Sequence, residues 1–119
     1  MEIFKEFTFD AAHWLPNVPA GHKCGKLHGH TYRVVIAVEG PVNQHTGFVL
    51  DFADLKEAAK HTIDWLDHSC LNDSLRNPTA ENLVDYFWEI LTEEDGLQVS
   101  SIEVWETPTS GARRRALPG

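Results

Sequence analysis

The chain is short of cysteine, of positive charge and of long apolar runs, and each shortage removes a class of protein. Cys24 and Cys70 are the only two thiols in 119 residues, too few for a disulfide scaffold, and in a reducing compartment they are expected to stay unpaired. Lysine and arginine number 10 against 18 aspartates and glutamates, a net charge of −8. That balance excludes broad binding to nucleic acid or an anionic membrane, which select a basic face. No apolar stretch approaches the roughly 20 residues of a membrane span. Met1-Glu2-Ile3-Phe4-Lys5-Glu6 alternates apolar and charged residues and lacks the basic-then-apolar order of a secretory signal, so the expected compartment is the cytoplasm. The remaining composition, 42% apolar and 24% charged, is that of an ordinary globular domain, and residues 1–119 are expected to form one.

Hydrophobic periodicity gives the elements. From Ile3 to His13 the odd positions Ile3, Phe7, Phe9, Ala11 and His13 share a face opposite Glu6, Thr8 and Asp10, as in a half-buried strand. Residues 15–25 hold two prolines and two glycines without a period and read as a long loop whose tip carries His22 and Cys24. A second strand places His28, His30, Tyr32, Val34, Ile36 and Val38 on its even face. Gly40-Pro41 ends it, and a hairpin connection through Thr46-Gly47 is expected to lead to a short strand at Phe48–Phe52. Leu55, Ala58, Ala59, Thr62 and Leu66 recur at helical spacing behind Asp54, with an end near Asp67-His68. Thr79 is the expected N-cap of a second helix with Leu83, Phe87, Ile90 and Leu91 as its apolar stripe. The last strand, Val99–Thr107, puts Ile102, Val104 and Glu106 on one face, and the tail 108–119 with Arg113-Arg114-Arg115 shows no packing pattern. The expected fold is α+β, a four-stranded antiparallel sheet with two helices packed on one face. Its exposed edges would be removed by oligomerisation into a barrel.

Cys24-Gly25-Lys26-Leu27-His28-Gly29-His30 carries the strongest chemical signal. Side chains alternate along a strand, so His28 and His30 point to one side. His13, ending the first strand, is a candidate third ligand, and three neutral imidazoles around Zn²⁺ leave a fourth position open for water or substrate. Other divalent ions suit the same donors, and the plain alternative for His13 is a hydrogen-bonded core histidine. Cys24 has three readings: a fourth zinc ligand in a closed structural site, an accessible thiolate serving as a base, favoured by Lys23 and Lys26 beside it, or an inert buried thiol. Asp67-His68 reads equally as a carboxylate that orients a proton-shuttling imidazole or as a helix-terminal histidine held by the dipole. Glu106 falls on the apolar face of its strand, where an ionised carboxylate requires a partner such as the N–H edge of an aminopyrimidinone, unless it reaches solvent at the edge. Lys23, Lys26 and Arg33 form a local basic group suited to a small phosphorylated substrate, or are solvated surface charges. His22, His45 and His61 lack comparable context and are assigned no role.

Together these residues resemble the 6-pyruvoyl-tetrahydropterin synthase superfamily, and within it the 6-carboxy-tetrahydropterin synthase branch of the queuosine pathway. The resemblance rests on Phe9-Asp10-Ala11-Ala12-His13, on Cys24 through His30, and on Asp51-Phe52 with Leu55-Lys56. It extends to Leu66-Asp67-His68 with Leu71-Asn72, Asn77-Pro78-Thr79 with Glu81-Asn82, and Glu106-Thr107. The Cys-x₃-His-Gly-His spacing is similar to the carboxy branch, since pyruvoyl-forming enzymes typically have a longer gap. The resemblance implies a tunnelling fold in which three subunits close a barrel and two rings stack as a homohexamer, with active sites between subunits. It implies zinc on His13, His28 and His30, Cys24 as the proton-abstracting residue, Asp67 and His68 as a relay completing a neighbour's site, and Glu106 as the anchor of a pterin triphosphate substrate. One departure stands out. A few positions after Glu106 the family pattern has an aromatic residue, whereas this chain has Arg113-Arg114-Arg115, a group able to meet a triphosphate or to lie in solvent.

Overall fold

The computed structural model describes residues 1–118. Its order is β1 (Glu2–His13), β2 (His28–Glu39), α1 (Phe52–Leu66), β3 (Ser69–Cys70), α2 (Ala80–Glu89), β4 (Val99–Thr107) and β5 (Ser110–Arg115). The strands form one sheet in the order β3-β1-β2-β4-β5. All neighbours are antiparallel except β3, which runs parallel to β1 at Ala11↔Ser69 and Ala12↔Cys70.

The register of β1 on β2 is continuous from Glu2↔Glu39 to His13↔His28. It keeps the two apolar sets, odd on β1 and even on β2, on the same side, as the period of two requires. β4 adds Ile102 and Val104 to that side. Both helices cover it: Leu55, Ala59, Ile63 and Leu66 of α1 and Leu83, Val84 and Phe87 of α2 are buried with Phe9, Tyr32, Val34, Ile36, Ile102 and Val104 in one core. Each of these larger side chains contributes about 1.5–3 kcal/mol by leaving water. The opposite face carries Glu6, Asp10, Thr31, Arg33, Glu103 and Trp105, paired by the same registers, and among the described residues both helices lie on the other side. Arg33 spans that face, bonded to Glu6 at 2.8 Å and stacked 4.5 Å from the Trp105 ring centroid.

The helices begin where side-chain caps stop the preceding chain. Asp51 accepts from Ala53 N–H at 2.8 Å and opens α1. Thr79 accepts from Asn82 N–H at 3.1 Å and opens α2, satisfying N–H groups that the first turn leaves orphaned.

Three expectations are corrected. Phe48–Phe52 is not a strand: Asn43 N–H donates to the Phe48 carbonyl at 2.8 Å and Gly47 N–H to the Asn43 carbonyl at 2.7 Å, closing a compact loop, after which the Asp51 cap commits the chain to helix. The sheet has five strands, because the two-residue β3 adds to β1 and β5 adds to β4. Within the tail expected to lack packing, Ser110–Arg115 is thus a strand. Its pairing is fixed by charge, not by apolar alternation. Arg113 binds Glu103 at 2.8 Å on the open face, whereas Arg114 binds Asp85 at 3.0 Å and lies 4.3 Å from the Trp88 ring on the helical face.

Gly111 permits that pairing, since a Cβ there would lie 2.8 Å from the Val104 carbonyl oxygen and 3.1 Å from Trp105 Cα. Both are backbone atoms, so the strand itself has to move. Gly111→Ala is expected to destabilise the protein by about 1–3 kcal/mol, read as a lower urea midpoint at unchanged slope. An unchanged midpoint would mean that β5 does not sit this close to β4.

Candidate active site

The histidines of the first two strands meet. The His13↔His28 register sets His13 opposite His28, with His30 two residues along on the same face, and the ligand nitrogens of all three lie within 4.8 Å of one another. His13 is 1% exposed. Its Nδ1 donates to the Pro78 carbonyl at 2.7 Å, with the Tyr32 hydroxyl at 3.2 Å as a second neighbour. His28 Nδ1 donates to the Lys26 carbonyl at 2.7 Å. A ring nitrogen facing a carbonyl must carry the proton, so both Nε2 atoms present lone pairs in the neutral rings.

Those two Nε2 atoms are 3.0 Å apart, and His30 Nε2 is buried with no hydrogen-bond partner. Two acceptors at that distance repel unless a cation lies between them, and an orphaned buried nitrogen costs about 1–3 kcal/mol. The donor set therefore fits a divalent metal, with backbone carbonyls holding two of the rings in the ligating tautomer.

Burial lowers the His30 pKa. The Glu106 charge opposes this, and His13 and His28 reinforce it, which keeps the ring in the metal-binding form. The unfolded imidazole, with pKa about 6.5, then takes up protons that the folded one refuses, so this contribution to stability is lost as pH falls from about 6.5 through the lower folded value. In chelator-treated protein, Tm is expected to fall more steeply between pH 7 and 5.5 for the native sequence than for His30→Gln. Equal slopes would contradict the assignment.

Glu106 follows Trp105 on β4 and returns to the helical face. Its charge acts on His30 and, together with burial as the larger cause, pushes the Tyr32 hydroxyl well above its usual pKa. It borders a cleft of about 460 Å³ with Glu81, Ser110, Ala112 and Arg113. Of the β5 residues of this cleft, only Arg113 was singled out from the sequence, and its strand was not. The Thr107-Pro108-Thr109 turn was that strand's only signal.

Asp67 and His68 lie on the other side of the sheet. Asp67 Oδ1 accepts from Asp10 N–H at 2.9 Å, Asp67 Oδ2 lies 3.0 Å from His68 Nδ1, and His68 N–H donates to the Asp10 carbonyl at 2.6 Å. The Asp10 hydrogen bond holds the Asp67 carboxyl below the usual carboxylate range, slight burial opposes it, and His68 adds to the lowering. Caught between these bonds, His68 adopts φ 59°, an uncommon conformation for a residue with a side chain. His68 borders an open cleft of about 620 Å³ whose lining includes Asp10, Thr31, Ser69, Cys70 and, from β2, His30. Asp10 and Thr31 project to the face opposite the three histidines, and the ligand atoms of Asp10, Asp67 and His68 form a group of their own, separate from the histidine group.

Cys24 sits on a single 3₁₀ turn, Lys23–Gly25, in the β1–β2 connection, half-buried and unpaired. It is not among the ligand atoms grouped around His13, His28 and His30. Of the basic group, Lys23 and Lys26 stay near this loop. Arg33 does not: it is taken up by Glu6 and Trp105 on the open face. Among the described residues, no helix is long and apolar enough to cross a membrane.

Comparison with known proteins agrees with this architecture. Over residues 2–116 the chain matches the family described as 6-pyruvoyl tetrahydropterin synthase. The 6-carboxy-5,6,7,8-tetrahydropterin synthase of Synechocystis sp. is 40% identical over 118 residues, covering 93% of this chain and 90% of that one. The protein of the same name from Haemophilus influenzae is 34% identical over 137 residues, covering 92% and 94%. The structure of Caenorhabditis elegans 6-pyruvoyl tetrahydropterin synthase shares the fold with a TM-score of 0.86 at 24% identity, over 98% of this chain and 96% of that one. With its sheet, its two helices and nearly its whole length accounted for, the chain belongs to the 6-pyruvoyl tetrahydropterin synthase family.

Proposed function

We propose that the protein is a zinc-dependent lyase that converts 7,8-dihydroneopterin triphosphate and one water to 6-carboxy-5,6,7,8-tetrahydropterin, acetaldehyde and triphosphate, in 7-deazaguanine and queuosine biosynthesis. The observation that carries this reading is the trio of imidazoles turned toward one another beside Glu106, in a chain whose relatives from Synechocystis and Haemophilus bear the corresponding name.

His13, His28 and His30 would hold the zinc, which supplies Lewis acidity toward oxygen atoms of the substrate side chain. Glu106 accepts hydrogen bonds from the amino and ring N–H groups of the pterin, fixing the side chain near the histidines and lowering the entropic part of the barrel-site reaction. Cys24, as thiolate, takes a proton from a side-chain carbon. His68, oriented by the carboxylate of Asp67, moves protons during the internal redox change and carbon–carbon cleavage. The separation of His68 from the histidine cluster by the sheet supports catalysis between subunits. An open polar face and a sheet ending in β5 and the two-residue β3 support closure into a barrel, here a homohexamer of two three-subunit rings. The expected partner is a small pterin triphosphate, with neither nucleic acid nor membrane.

A non-catalytic zinc module with Cys24 as fourth ligand is the reading from another class. The position of Cys24 outside the ligand group weighs against it. The deciding experiment is incubation of zinc-loaded protein with dihydroneopterin triphosphate and mass analysis. Acetaldehyde with the 6-carboxy product is expected. A pyruvoyl product that keeps its three side-chain carbons would replace this reading with triphosphate elimination alone, and no consumption of substrate would reject the enzyme.

A further inference from the structure

We propose that His22 is a positioning residue for Cys24, acting as the cap that aims the thiol-bearing turn. The proposal rests on the reading of Cys24 as the base and extends it to a histidine to which the sequence assigned no role. His22 Nδ1 accepts the backbone N–H of Cys24 at 3.0 Å, and His22 stands at the N-cap of the Lys23–Gly25 turn with extended backbone, φ −67° and ψ 134°.

The turn is otherwise lightly held. Its own bonds are Gly25 N–H to the His22 carbonyl at 3.1 Å and Lys26 N–H to the Lys23 carbonyl at 3.2 Å. Its ties to the rest of the loop are Leu15 N–H to the Cys24 carbonyl at 2.8 Å and, through the cap residue, His22 N–H to the Pro19 carbonyl at 3.0 Å. Gly21, with φ 84°, gives the reversal that brings the imidazole back over the turn, a conformation that glycine adopts without strain. On the far side of Cys24 the chain runs into Lys26, whose carbonyl orients His28. The cap therefore stands at the start of a seven-residue path, His22 to His28, whose other end is a candidate metal ligand.

Without the imidazole, the Cys24 N–H loses its acceptor and the turn frays. The thiol is then no longer presented in one direction, although neither the core nor the histidine cluster contains His22. Asn is among the preferred N-cap residues and accepts through its side-chain oxygen, so it can restore the bond without restoring the imidazole.

The test compares His22→Ala, His22→Asn and Cys24→Ala in zinc-loaded protein. The readouts are kcat and KM separately, zinc content, Tm, and the rate of Cys24 alkylation by iodoacetamide followed by peptide mass analysis with Cys70 as internal reference. For His22→Ala the expectation is kcat lower by about tenfold or more, a change in alkylation rate at Cys24 but not at Cys70, and unchanged KM, zinc content and Tm. His22→Asn is expected to recover most of both kcat and alkylation behaviour. Native kcat and alkylation in His22→Ala would overturn the inference and leave the base assignment intact, provided Cys24→Ala is inactive. An impaired His22→Ala that Asn does not rescue would also overturn it, because capping would not be the cause. Full turnover by Cys24→Ala would instead overturn the reading on which the inference stands.

Discussion

Cys24→Ala is expected to abolish measurable turnover, with kcat lower by about 10²–10⁴-fold, while the protein keeps one equivalent of zinc and its native Tm. The size of the effect follows from the role. If the thiolate removes the proton in the first chemical step, alanine leaves that step without its base. Retention of zinc follows from geometry, since the sulfur stands outside the group formed by His13, His28 and His30. The side chain is half-buried on a three-residue turn, so truncation leaves no large cavity and stability changes little. The proposed assembly adds a sharper form of the same experiment. His68→Ala is expected to be inactive as well, but co-refolding it with Cys24→Ala should restore a fraction of native activity, because some interfaces then combine an intact Cys24 from one subunit with an intact His68 from another. Zinc lost together with Cys24 would make the sulfur a ligand. Absence of complementation would return both residues to one subunit, against the opposite faces on which a single chain holds His68 and the histidines.

Removing His13 is expected to act twice. His13→Ala takes away one of three metal donors and also empties a site in the core, because the ring is 1% exposed and supplies the only described donor to the Pro78 carbonyl at 2.7 Å. Zinc content should fall to background after dialysis. The metal-free protein should lose about 3–8 kcal/mol, the sum expected for a side-chain-sized cavity and an unsatisfied buried acceptor. His28→Ala separates the two effects. Its ring is only partly buried and its carbonyl partner, Lys26, lies in an exposed loop, so zinc should again be lost at a stability cost below about 1 kcal/mol. Both stabilities have to be measured by urea denaturation with chelator present, since bound metal adds its own linkage free energy to the folded state. One equivalent of zinc retained by either variant would sink the three-histidine site, and equal destabilisation of the two would mean that His13 is not the core member of the trio.

Legibility in the sequence followed the range of the interactions involved. β1, β2, β4 and both helices could be read to within a few residues because each buries one face against the core, and burial imposes a period of two or 3.6 on the apolar residues. The Thr79 cap is likewise local, acting on an N–H three residues on. Phe48–Phe52 misled because its apolar residues fit a strand, whereas the Asp51 cap and the closed loop at Asn43 use the same backbone groups differently. β5 left no trace. An edge strand whose inward side is Ala112 and Arg114, and whose pairing is secured by Glu103, Asp85 and Trp88, has no hydrophobic alternation to detect. Arg33 misled through proximity, since it is three residues from His30 in the chain and on the opposite face of the sheet.

The sequence by itself determined that His28 and His30 share one side of a strand, because alternation is a property of the extended backbone and needs no partner. It did not determine that His13 joins them, nor that Asp67 and His68 stand across the sheet from all three. Those outcomes depend on a register, His13 opposite His28, and on the bonds from Asp10 that hold residues 67 and 68 against β1. Register is set by the whole apolar face of β1 and β2 seeking the same core, since a slip by one residue would turn every one of those side chains to water. It is a free energy summed over two strands and two helices, and no single segment of the chain contains it.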